Sequence, residues 1–334
     1  MGKKITIFLF LGLGLITIYL IIQLNSTLGI ISKDMINNPS FSQTSKYRIA
    51  FIYRNDNERF WKSIRQGAEK VTDGDAVYVN FLEAAPGQEL QINDYLRLAI
   101  NADYDGIIVQ GENERMVPLM EEAWNSRIPV ITIASDLPDS GRIGYVGTNN
   151  YRVGLVAGKT LARKYYGRIR PNFAVLSPLT GADMQMSVAE SLKIFGFREA
   201  ISAHQTNIPF WEWSNPTLID SMVVVRSILK KYPNLDGIYA TYPEGTLAAA
   251  KVVKEVNKAD QIQIIGHGDL PEIRDSIRNG TIEASIVEYP FQMGYTAVKE
   301  MLRYIREGRV NISSNIEVNI LNQSNLNQYR SGGE

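Results

Sequence analysis

Most residues that do covalent or metal chemistry are missing from this chain or badly spaced in it. It has no cysteine and two histidines, His204 and His267. Thiol catalysis, Cys-type zinc sites, disulfide frameworks and a lipid-modified cysteine are excluded, and a His-rich metal centre or histidine relay is argued against. The segment VGLVAGKT (153–160) nearly spells a phosphate loop, which needs Gly, four residues, then Gly-Lys-Thr, but Val153 occupies the first glycine position. Val153, Ala157 and Leu161 at helical spacing, with Gly154 and Gly158, instead predict a helix packed closely on a sheet. RKYYGRIR (163–170) interleaves basic and aromatic residues as nucleic-acid sites do. It is short and isolated, and reads as a solvated helix end. Gly-x-Ser-x-Gly, His-Glu-x-x-His and EF-hand spacings do not occur. Nothing among the 35 acidic residues marks a glycosidase pair. Binding chemistry remains.

The elements that must position such chemistry follow from length and pattern. The 334 residues, 45% hydrophobic, suit two domains of ordinary size. Lys and Arg balance Asp and Glu at 35 each, which argues against a protein held on nucleic acid by its phosphates. Ile5–Leu24 is an uncharged run of 20. As a helix it covers about 30 Å, the thickness of bilayer hydrocarbon. Lys3 and Lys4 precede it, so the body is expected outside the cell membrane on an N-terminal anchor at 1–24. A cleaved signal peptide is the competing reading, but its apolar region would be about 7–15 residues and end at a small-x-small site. Residues 25–45 read as a linker.

From Tyr47 onward, short apolar runs alternate with amphipathic stretches. Arg48–Tyr53, Ala76–Leu82, Gly106–Val109 and Val130–Ile133 read as buried strands. Phe60, Ile64, Ala68 and Val71, then Leu90, Tyr95, Leu98 and Ala99, form helical stripes between them. The alternation predicts an α/β fold with parallel sheets covered on both faces. Asp105-Gly106-Ile107 recurs as Asp236-Gly237-Ile238 after 131 residues, and Asp136-Leu137-Pro138 as Asp269-Leu270-Pro271 after 133. Two similar lobes are therefore expected, with ligands beyond the carboxyl ends of their strands.

IAFIYRNDNERFWKSIRQGA (49–68), YDGIIVQG (104–111), IPVITIASDLP (128–138), YVGTNNYRVGLVAGKTLA (145–162), LDGIYATYPEGTLAAAKVV (235–253) and IIGHGDLPEIRDSIRNGTIEASIVEYPFQMGYTAV (264–298) resemble, in order and spacing, type I periplasmic sugar-binding proteins of the ribose- and galactose-binding kind. Repressor effector domains share that fold but carry a helix-turn-helix where this chain has its apolar run. The resemblance implies two Rossmann-like lobes, joined by three crossing segments, that close around a sugar. The crossings are expected near 147–149, 288–291 and 308–313. The first lobe then comprises 46–147 plus 290–309, the second 148–289 plus 310–322, with a loosely ordered tail at 323–334.

The resemblance also nominates ligand-binding residues, because sugars are held by aromatic planes and by charged or amide groups on adjacent hydroxyls. Phe60 and Trp61 stand where the family places two pocket aromatics. Adjacent helical residues diverge by about 100°, so at most one is fully core. Arg54 and Asn55 end the first strand. Ser135 and Asp136 end the fourth without the family's Asp-Arg pair, and Asp136 is alternatively a helix cap. Lys193 stands in the place of a sugar-gripping arginine and lacks its planar fork. Trp213 is the expected stacking residue of the second lobe. Tyr242 replaces an asparagine and Glu288 a hinge amide. Asp269 lies one residue past the usual aspartate and is either a contact or a helix cap.

No metal or cofactor is implied, and no nucleic-acid partner. The function expected is an extracytoplasmic, membrane-anchored receptor for a small sugar, a pentose or hexose such as xylose, that signals by lobe closure. It resembles the membrane-anchored xylose-binding sensors that work with a histidine kinase. The alternatives are a subunit feeding an ABC importer permease and a sugar-acting enzyme, which no motif supports.

Overall fold

Runs of β-branched residues form the strands, and amphipathic stretches cover them. The computed structural model describes residues 47–329 except 56, 73–76, 86–87, 166–170, 180–185 and 203–209. The expected anchor and linker lie outside the described residues. Among the described residues no helix is long and apolar enough to cross a membrane.

In the first lobe, β1 (Tyr47–Arg54), β2 (Val77–Ala84), β3 (Gly106–Gln110), β4 (Val130–Ile133), β5 (Gly144–Gly147) and β11 (Ser313–Asn315) form one parallel sheet, in the order β11-β5-β4-β3-β1-β2. In the second, β6 (Phe173–Pro178), β7 (Phe210–Ser214), β8 (Gly237–Ala240), β9 (Gln263–His267), β10 (Ala284–Val287) and β12 (Asn319–Asn322) repeat it as β12-β10-β9-β8-β6-β7. Only β12 departs, pairing antiparallel with β10. The tripeptide repeat therefore marks equivalent strand starts and ends.

Helices α1 (Glu58–Thr72), α2 (Glu89–Asn101), α3 (Val117–Asn125) and α9 (Pro290–Glu307) belong with the first sheet. With the second go α4 (Asn150–Lys164), α5 (Val188–Ser202), α6 (Leu218–Lys231), α7 (Pro243–Glu255) and α8 (Pro271–Arg278). Helix α1 buries Trp61, Ile64, Ala68 and Val71 in a core with Phe51, Ile108 and Met293. Each such side chain, taken fully from water, contributes about 1.5–3 kcal/mol. In α2 the buried stripe is Ile92, Leu96, Ala99 and Ile100, one step out of phase with the expected set, and Tyr95 and Leu98 are half-buried.

The chain crosses between lobes at 148–149, 288–289 and 316–318. The third crossing falls later than the resemblance implied. After α9, capped by Gly308 in the left-handed region (φ 67°), the chain first adds β11 to the first sheet beside β5. That strand reads Ser-Ser-Asn and lies at an edge, so no apolar pattern announces it. Both crossings that lead into helices end in close helix pairs. A Cβ at Gly294 of α9 would lie 1.9 Å from the Ile64 carbonyl oxygen of α1, and one at Gly154 of α4 would lie 1.8 Å from the Lys193 oxygen of α5. The glycines of the false phosphate loop thus pack a helix against another helix, not against the sheet as expected. The described part of the tail, 323–329, packs on the second lobe: Leu326 is buried in its core and Tyr329 packs against it.

Candidate functional site

In a sheet of this order, the strands on either side of the first one run into helices on opposite faces, which opens a crevice at their carboxyl ends. The crevice lies between β1 and β3 in one lobe and between β6 and β8 in the other. Buried polar clusters occupy both positions.

At the second-lobe crevice, Ser177 is the penultimate residue of β6, Thr241 follows β8, and α5 contributes Glu190 and Lys193, all buried. The Lys193 Nζ donates to Glu190 Oε1 at 2.8 Å and weakly to the Thr241 carbonyl at 3.5 Å. Ser177 donates to Glu190 Oε2 at 3.0 Å, and Thr241 donates to the same oxygen. Burial alone would pull the Lys193 ammonium down, but the charges of Glu190 and Glu288 and the bond to Glu190 outweigh it and raise its pKa. The lysine is therefore a charged group paired with Glu190. Next to it Tyr239 and His267 share a bond of 3.0 Å between Oη and Nε2. Burial, then the Lys193 charge, holds the imidazole well below its ordinary value, so it is neutral.

At the first-lobe crevice, Arg54 donates to Glu112 Oε2 at 2.9 Å, both side chains being under 10% exposed. The Arg54 backbone N–H donates to Gln110 Oε1 at 2.9 Å, tying β1 to β3. Asn55 donates to Glu83 Oε1 at 2.7 Å, and Tyr53 donates to the other oxygen at 3.0 Å. Burial and then Glu83 push the Tyr53 hydroxyl up to about 12. Beyond β4, Ala134 takes φ 64°, a conformation that costs a non-glycine residue about 1–3 kcal/mol. It turns the chain so that Ser135 donates to the Gly111 carbonyl at 2.6 Å. Asp136 accepts from Thr132 at 2.6 Å and from Arg142, whose Nη2 lies 2.7 Å from Oδ2 and Nε 2.5 Å from Oδ1. A basic partner for Asp136 thus exists, six residues on, and the helix-cap alternative does not arise because β5 follows.

Glu288 lies on the second crossing, half-buried, and makes no hydrogen bond or ion pair among the described residues. Its charge acts on Lys193 of one lobe and on Tyr145 of the other. The Tyr145 hydroxyl donates to the Thr148 carbonyl at 3.0 Å.

The aromatic candidates divide. Phe60 is half-buried, with its ring edge-on to Trp61 at 5.5 Å. Trp61 is core: it is 2% exposed and stacks on Tyr53 at 4.7 Å, offering a ligand no free face in this conformation. Trp213, at the carboxyl end of the edge strand β7, keeps 37% of its surface exposed. Tyr242 turns away from the strand ends into the α6–α7 core, where its hydroxyl pairs with Ser221 at 2.8 Å. The N-cap of α8 is Leu270, not Asp269, whose carboxylate accepts from Tyr329 at 2.8 Å. The residues that reading the sequence missed are Glu190, Glu112 and Arg142. Only Glu190 had a signal, standing three residues before Lys193 on a helix.

The periplasmic binding protein domain model matches residues 49–309. The ribose import binding protein RbsB of Salmonella typhimurium is 20% identical over 84% of this chain and 93% of its own length. Among solved structures, GanP, a glucose-galactose binding protein from Geobacillus stearothermophilus, superposes with a TM-score of 0.75 at 30% identity, covering 84% of this chain and 98% of that one. XylFII, in a XylFII–LytSN complex, gives a TM-score of 0.71 at 29% identity over 84% of this chain and 98% of its own. With a family model matched over most of its length, two crevices built from the same strand order and sugar-binding relatives, the chain belongs to the periplasmic binding protein domain family.

Proposed function

We propose that this chain is an extracytoplasmic, membrane-anchored receptor that binds a small sugar, a pentose or hexose, between its lobes and signals by closure to a sensor histidine kinase. The observation that carries the binding role is the repetition of one crevice in two lobes, with Glu288 on a crossing that serves both. A ligand touching both walls favours the closed form, because only that form makes both sets of contacts. The assembly of XylFII with LytSN supports a protein partner. The uncharged run 5–24 supports an anchor that is retained.

Titration calorimetry and melting of residues 46–334 against pentoses, hexoses and inositols test the binding role. A micromolar ligand that raises the melting temperature is expected; silence across the panel rejects it. The ribose import relatives favour a second reading, a subunit that feeds an ABC importer. Copurification from membranes separates the two: a histidine kinase is expected, and an importer permease without a kinase overturns the sensor role. Mass spectrometry of the membrane fraction should find residues 1–24 still attached.

A further inference from the structure

We propose that the outer face of α4 and α5, on the second lobe, docks an acidic amphipathic helix of the protein that reads lobe closure. This rests on the receptor reading above and locates where its partner binds.

The two lobes supply their own comparison. Gly294 of α9 abuts the Ile64 carbonyl of α1 as Gly154 of α4 abuts that of Lys193 in α5, and Gly67 meets Phe291 as Gly196 meets Tyr151. Ile64 therefore corresponds to Lys193, and the pairs α1–α9 and α5–α4 match in register. On α5, Val188, Leu192 and Phe195 are 41–59% exposed. The matching residues of α1 are Arg59, Ser63 and Gln66, so nothing in the fold requires apolar groups there. Exposed apolar groups that line up in this way mark interaction sites. Steps of four and three residues make a narrow seam on which another helix packs, whereas a helix lying on lipid needs a broader apolar face. Tyr151 ties the seam to α4, its ring 5.9 Å from that of Phe195 and its hydroxyl donating to Glu199 at 2.7 Å.

On α4, Arg152, Lys159 and Arg163 share one ridge, at steps of seven and four residues. All three are exposed, and their side chains make no hydrogen bond or ion pair among the described residues. The α9 counterparts are Gln292, Lys299, whose ammonium lies 5.0 Å from the Tyr295 ring centre, and Arg303, which pairs with Glu300. Helix α4 has no acidic residue, and Arg152 stands in its first turn, where a cation opposes the helix dipole. Helix stability therefore does not account for that charge. Unpaired positive charge next to an apolar seam is complementary to carboxylates on the docking helix. A second copy would bring the same positive charge to a two-fold contact.

To test this, p-benzoylphenylalanine is placed at Leu192 of the full chain, or at Gln66 as the control on α1, and irradiated in native membranes. Adducts are digested and sequenced by mass spectrometry. Leu192 should cross-link to a histidine kinase segment that carries carboxylates and apolar residues at helical spacing, and Gln66 should not. Arg152→Glu with Lys159→Glu should lower the yield about tenfold at low salt and less at high salt. An adduct with an importer permease through such a segment keeps the surface and overturns the sensor role. Adducts with lipid or a second copy, an equal yield at Gln66, or no adduct at Leu192 while the kinase copurifies all overturn the docking site and leave the receptor standing. Neither an adduct nor a copurifying partner overturns both. The comparison of Leu192 with Gln66 decides even where the charge variant folds poorly.

Discussion

Lys193 shows how a side chain nominated as a ligand contact becomes part of the scaffold. Breaking a buried ion pair leaves a bare charge and costs about 3–5 kcal/mol, whereas replacing both partners by apolar groups is often neutral. Glu190→Ala should therefore lower the unfolding free energy by about 3 kcal/mol, and Glu190→Leu with Lys193→Met should recover most of it, as read from urea denaturation. His267 sets a pH dependence. Its folded-state pKa is depressed, so the unfolded chain takes up a proton first as pH falls. The stability it contributes is full above its ordinary value near 6.5 and is lost as pH drops below that. The melting temperature should decline below about pH 6.5, and His267→Gln should flatten that decline. At this scale the sequence was legible for position along a strand, as for Arg54 at the end of β1 and Ser135 just beyond β4. It was not legible for Glu112 and Arg142, whose partners are set by the tertiary fold. Tyr242 and Trp61 misled for the same reason: both sit at the right position in the chain and turn toward a core.

The elements were mostly readable because buried parallel strands need continuous apolar runs, and β1, β3 and β4 have them. Strand β11 has no such run and shifts the third crossing. The helix pairs α1–α9 and α4–α5 depend on glycine where backbones nearly touch. Gly154→Ala pushes a methyl into the Lys193 carbonyl, and overpacking of this kind costs about 1–3 kcal/mol or more. Gly308→Ala meets nothing within 4 Å and should cost only the left-handed backbone, about 1–2 kcal/mol. Chemical denaturation of both should rank Gly154→Ala as the more damaging. Ligand-induced stabilisation should also weaken in that variant alone, since α4 leads directly out of the first crossing.

For the molecule as a whole, the internal repeat in sequence was the most informative signal, because two lobes with one strand order predict one shared cleft. The threefold crossing also sorts the ends of the described chain. It begins in β1 of the first sheet and finishes beyond β12, where Tyr329 is fastened to Asp269 of the second lobe. The two ends thus report on different lobes, and the sequence has no cysteine to compete for thiol-reactive dyes. Single cysteines introduced at Tyr47 and Asn327 would make the protein its own optical ruler, converting lobe motion into a fluorescence ratio without a fused reporter.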